Sequence, residues 1–108
     1  MAEIYWISYS IGEKGNAERR YQHLLAAVHE MTQELWWTEM SNFILFQSDH
    51  GIDEIAEHVR GVLDPEADLA VLVRQDAEDG VAIGAVQDVL LFELMPNIRR
   101  QESEATPA

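Results

Sequence analysis

The sequence predicts an α+β domain, and three observations predict it. Residues 3–10 carry aromatic and β-branched side chains on both alternating faces. Two later stretches repeat apolar residues at helical spacing, and short dense apolar runs lie between and after them.

Each element follows from its own residues. Glu3, Ile4, Tyr5, Trp6, Ile7, Ser8, Tyr9 and Ser10 read as a central strand covered on both sides. Gly12 to Gly15 make a connection, and Asn16 is suited to capping a helix. From Ala17 the stripe Tyr21, Leu24, Leu25, Val28 and Met31 defines that first helix. Residues 34–40 and 42–48 hold Leu35-Trp36-Trp37 and Phe43-Ile44-Leu45-Phe46 around a polar separator, the pattern of a β-hairpin. Ile52, Ile55, Ala56, Val59, Val62 and Leu63 form a second helical stripe, closed by Asp64-Pro65 because the residue before proline is pushed out of the helical region. Residues 69–73, Leu-Ala-Val-Leu-Val, read as a buried strand. A polar loop at 76–80 follows.

For residues 81–95 two readings stand. Ala82, Ala85, Val86, Val89, Leu90 and Leu94 fit a third helix stopped by Pro96, and residues 89–94 fit a fifth strand. Residues 1–98 are expected to form a single domain with this piece as a C-terminal helical appendage. Residues 99–108 are expected to be a flexible acidic tail, mobile from Gln101 onward.

The order βαββαβ is that of a ferredoxin-like domain: a four-stranded antiparallel sheet with two helices on one face. Two crossovers are expected to bring strands one and three, and strands two and four, into parallel relation. The face without helices would expose aromatic side chains unless the appendage or a second subunit covered it.

Composition narrows the functional classes. With 108 residues, 47% of them hydrophobic, and three each of Trp, Tyr and Phe, the chain can build one core without disulfides or structural metal. It has no cysteine, which removes thiolate nucleophiles and sulfur-based zinc sites. Neither a signal peptide nor a membrane span of roughly 20 apolar residues is visible, so a cytoplasmic location is expected. Seven basic residues against 20 acidic ones give a formal net charge of -13. Such a field repels nucleic-acid phosphate and anionic lipid; only Arg19-Arg20 and Arg99-Arg100 could seed a basic patch.

No motif specifies catalysis. The loop Gly12-Glu13-Lys14-Gly15-Asn16 lacks the spacing of a Walker loop or a dinucleotide fingerprint, and reads as a connection. Glu54 and His58 share a helix face without a second histidine at matching spacing, and His23 and His29 point in different directions. In the 76–80 loop, Gly80 and Gln87 fall where a calcium-binding loop does not want them. Ser8, Ser10 and Ser41 have no sequence-evident base. No catalytic, cofactor-binding or metal-binding residue is therefore assigned. Trp36 and Trp37, adjacent in a strand, must face opposite ways.

Tyr9-Ser10 at the end of the first strand, the run Trp36-Trp37-Thr38-Glu39-Met40-Ser41-Asn42-Phe43-Ile44, and the join Val62-Leu63-Asp64-Pro65-Glu66-Ala67-Asp68-Leu69 resemble the small CRISPR-associated proteins of the spacer-acquisition complex and their uncharacterised relatives. The resemblance spans roughly residues 3–75 and implies a ferredoxin-like homodimer. It also implies a metal-dependent nuclease whose ligand is an Asp after the first strand. Ser10 stands at that position, and a neutral hydroxyl is a poor magnesium ligand, so a degenerate site is expected.

The leading expectation is a non-enzymatic homodimeric interaction protein without cofactor, its candidate interface aromatics being Tyr5, Trp6, Trp36, Trp37, Phe43 and Phe46. The alternatives are a nuclease related to that family, and an acidic protein that occupies a basic nucleic-acid-binding partner. Binding to membrane or nucleic acid is not expected.

Overall fold

The computed structural model describes residues 2–76, 80–83 and 87–101. Its elements run β1 (Glu3–Ser10), α1 (Ala17–Met31), β2 (Trp36–Trp37), β3 (Phe43–Ser48), α2 (Ile52–Arg60), β4 (Leu69–Arg74), β5 (Gly80–Ile83), α3 (Leu90–Leu94) and β6 (Ile98–Gln101). This is an α+β architecture compatible with a ferredoxin-like fold. Four strands form an antiparallel sheet in the order β2-β3-β1-β4, and β5 pairs with β6 in a separate parallel pair.

Strand β1 lies between β3 and β4, as its two apolar faces require. Tyr5, Ile7 and Tyr9 point toward α1 and α2, where they meet Ile44 and Phe46 of β3, Leu24 and Val28 of α1, and Ile55 and Val59 of α2. Tyr5 stacks on Phe46 with ring centroids 5.7 Å apart, and its hydroxyl donates to the carbonyl of His50 at 2.9 Å. Ser48, a polar residue buried in this layer, accepts from the His50 N–H, which satisfies its hydroxyl oxygen. Helix α1 begins where expected, with Asn16 Oδ1 accepting the Arg19 N–H at 3.0 Å.

The other face carries Trp37, Leu45, Leu91 and Leu94, with Trp6 and Phe43 packed against them. The appendage thus covers the β2–β3 half of that face from within the same chain. The adjacent tryptophans do face opposite ways: Trp36 meets His29 of α1 at 4.8 Å, and Trp37 lies under α3.

Several expectations are corrected. The pairs β1–β3 and β1–β4 are antiparallel, not parallel as expected of strands one and three. A crossover aligns the strand before a helix with the strand after it, so the like-directed pairs are β1 with β2 and β3 with β4, neither of them neighbours. The third helix is confined to Leu90–Leu94, and Gly80–Ile83 is a strand. The Asp88 carboxylate accepts the Leu90 N–H at the helix start. The same helix replaces the strand alternative for 89–94. Strand β6 takes in Arg99, Arg100 and Gln101, the first three residues of the expected tail; residues 102–108, like 77–79 of the expected polar loop and 84–86, lie outside the described residues.

Helix α2 stops at Arg60 rather than Leu63, because Gly61 ends the regular turn; Val62 and Leu63 nevertheless pack on the core. Among the described residues no helix is long and apolar enough to cross a membrane.

Phe46 is 0% exposed at the centre of the helix-facing layer. Phe46→Ala is expected to cost about 3–5 kcal/mol, read as a lowered urea midpoint with unchanged slope.

Candidate interaction surface

Strand β4, expected from its sequence to be buried, lies at the margin of the sheet, and among the described residues only its helix-facing side is covered. Its other side leaves Leu69 67% and Val71 50% exposed. In register beside them on β1 stand Ser10 and Ser8, both exposed. The β1–β4 half of the face opposite the helices is therefore the part that α3 leaves open.

The outer edge of β4 carries main-chain groups as well. Gln75 N–H donates to the carbonyl of Ile4 at 2.7 Å, which fixes the phase of the ladder. Groups of Gln75, Val73, Val71 and Leu69 turn toward β1, and those of Ala70, Leu72 and Arg74 turn away. Among the described residues no strand lies beyond that edge. On the helix side of the same edge, α2 and β4 border an open cavity of about 220 Å³, its wall formed mainly by Ala56, Val59, Leu63, Pro65, Ala70 and Leu72, with Arg60 and Asp68 also present.

What holds β4 in place is a buried carboxylate. The Asp68 side chain is 0% exposed and sits just before the strand. It accepts from Arg20 Nε at 2.7 Å, from the Asp64 N–H at 2.8 Å and from the Gly12 N–H at 2.9 Å. One residue therefore ties the β1–α1 loop, helix α1 and the α2–β4 loop together. Gly12 is required by close approach: a Cβ there would lie 2.4 Å from the Ala67 carbonyl oxygen. Lys14 adds outer ion pairs to Asp64 at 3.4 Å and Glu66 at 3.1 Å. The Gly12–Asn16 segment is thus a clamp, and its Gly12 N–H, which an anion would need, is already engaged.

A second carboxylate secures the appendage. Glu39 accepts from the N–H groups of Gln87 at 2.9 Å and Asp88 at 3.0 Å, and these bonds hold its carboxyl below the usual range. The buried indole Nε1 of Trp37 has no acceptor in hydrogen-bond geometry, yet it lies near enough to favour the Glu39 charge.

The six expected interface aromatics separate into two groups. Tyr5, Trp37 and Phe46 are buried within the single chain and present no surface to a partner. Trp36 packs toward the helices, leaving Trp6 and Phe43, stacked at 5.9 Å, as half-buried residues on the opposite face. The residues that border the open half, Leu69 and Val71, are missing from the expected set. A dense apolar run looks the same at a sheet margin as in its interior; the only signal for a margin was its place as fourth strand in the order.

The remaining candidates do not converge. Glu54 pairs with His50 at 3.1 Å, and His58 reaches across to Glu30 of α1 at 2.7 Å. His23 shares a shallow groove with Glu30 and His58, but among the described residues no group of three or more His, Asp or Glu side chains has metal-binding geometry. Ser10 borders an open hollow of about 240 Å³ with Tyr21, Glu18 and Asn42. Burial pushes the neighbouring Tyr9 phenol up to about 12, with Tyr21 adding to the shift, so Tyr9 stays protonated near neutrality. Arg20, half of one expected basic pair, is consumed by Asp68.

No family model matches the chain, and no curated protein is significantly similar to it.

Arg20→Ala leaves the Asp68 charge buried with fewer partners and is expected to destabilise the fold by about 3 kcal/mol in urea unfolding. Burial alone would raise the Asp68 carboxyl, but the Asp64 N–H, Arg20 and the Gly12 N–H together bring it below its ordinary 3.8. A lowered native value means that this stabilisation is complete above the ordinary value and is lost as pH falls through the native one. An acid series of unfolding curves should show that loss beginning at higher pH in Arg20→Ala than in the parent.

Proposed function

We propose that this chain is a non-enzymatic, ferredoxin-like interaction module that pairs with a copy of itself through the outer edge of β4 and the open β1–β4 half of the sheet face. The observation that carries the reading is the exposure of Leu69 and Val71 on a six-residue margin strand. Monomeric proteins blunt such margins with Lys, Pro or a bulge. Within Leu69–Arg74 the only polar residue is Arg74, at the very end. A strand of this composition, with the main-chain groups of Ala70, Leu72 and Arg74 turned outward, is suited to extension by another strand.

The second copy is the favoured occupant because antiparallel pairing of β4 with itself satisfies both strands at once and buries the same apolar residues on each. The resemblance to the dimeric CRISPR-associated small proteins points the same way. The Ser10 hydroxyl, where that family's nuclease reading needs a carboxylate, argues for an interaction role rather than cleavage.

The charge sets the conditions of assembly. Each copy carries a formal -13, so association works against like-charge repulsion that added salt screens. Sedimentation velocity should show a monomer–dimer equilibrium that shifts toward dimer as NaCl is raised from about 0.05 M to 0.5 M. Val71→Lys should give a folded monomer throughout. A parent chain that stays strictly monomeric at millimolar concentration in high salt would remove the reading.

A further inference from the structure

Resting on that self-pairing, we infer its register: the twofold axis passes through Val71, and Leu72 of each copy seats in the α2–β4 cavity of the other. Main-chain groups of Ala70, Leu72 and Arg74 turn outward, so a second antiparallel strand can bond to β4 only by setting its own outward residues opposite these. Axes at Val71 or Leu72 meet that condition while keeping five of the six strand residues paired.

Three features select Val71. An axis there sets Val71 against Val71 and Leu69 against Val73, which covers the two exposed apolar residues of the strand with apolar partners. Moving the axis to Leu72 would instead place Leu69 against the Gln75 amide. On the helix side, the Val71 axis sets Leu72 of one copy opposite Ala70 of the other. Ala70 is small and lines the cavity of about 220 Å³ together with Ala56, Leu63 and Pro65, so the leucine enters a space that its own chain leaves unfilled. At the strand ends, Arg74 of one copy comes beside the 64–68 loop of the other, which carries Asp64 and Glu66. Opposite charge therefore meets at both ends of a strand belonging to an otherwise self-repelling acidic chain.

The absence of cysteine makes the register directly readable, since any disulfide must come from an introduced residue. Val71 faces its counterpart as a non-hydrogen-bonded pair, whose Cα atoms lie about 4.5 Å apart, within the range a disulfide spans. Val71→Cys should therefore form an interchain disulfide under mild oxidation, and Val73→Cys alone should not. A mixture of Leu69→Cys and Val73→Cys should give the mixed dimer. Ala56→Trp, on the exposed side of α2, narrows the cavity without touching β4; it should weaken dimerisation at least tenfold while leaving the urea midpoint of the monomer unchanged.

A sedimenting dimer that cross-links through Val73→Cys and not through Val71→Cys would overturn the register and leave self-pairing standing. A dimer indifferent to Ala56→Trp would overturn the seating of Leu72. Failure of the parent to associate at all would instead remove the reading on which both rest.

Discussion

An eight-residue strand with large apolar side chains on both faces needs two separate coverings, and β1 is that strand. One row, Tyr5, Ile7 and Tyr9, is covered by α1 and α2. The other row, Ile4 and Trp6, depends on whatever the rest of the chain can spare. The two helices follow strands directly and return the chain to one side of the sheet, so the second covering comes only from the C-terminal segment. That segment contributes a five-residue helix, too short to reach across four strands. The half next to β4, which none of the described residues covers, is the geometric remainder of this division.

The position of β4 owes as much to polar contacts as to apolar packing. A carboxylate buried ahead of the strand would be destabilising if left alone, but Asp68 is surrounded by Arg20 and two main-chain N–H groups from separate loops. Those contacts define where the chain leaves α2 and enters the sheet. The strand's inward side is thereby held in register with β1, and its outward side stays available. Rigidity at the strand entrance lowers the ordering cost of any partner that docks along it.

Much of the architecture was legible in the sequence. The alternation of residues 3–10, the two helical stripes and the tryptophan-rich hairpin each reflect short-range periodicity, which a linear reading captures. What was not legible depends on contacts between distant segments. The pairing of Gly80–Ile83 with Ile98–Gln101 joins residues eighteen positions apart, and neither short strand has a pattern of its own. Strand direction was misassigned because it follows from the path of the crossovers rather than from any residue. The surface residues Leu69 and Val71 were hidden for a related reason: the run 69–73 is apolar at every position, so it reads as covered on both faces, and its exposure comes from its place in the strand order. Asp68 was likewise invisible as a clamp, since Arg20 and Gly12 are 48 and 56 residues away.

The opposite margin of the sheet tells a different story from β4. Strand β2 has only two residues, Trp36 and Trp37, and its inner side is already taken by β3. So short a ribbon gives an incoming chain almost no ladder to read. A sheet with one receptive border and one blunt border can join another like it once, border to border, and the joined object then ends in blunt borders on both sides. Under the proposed pairing, growth would stop at two, and the unguarded border would not lead to open-ended fibre formation.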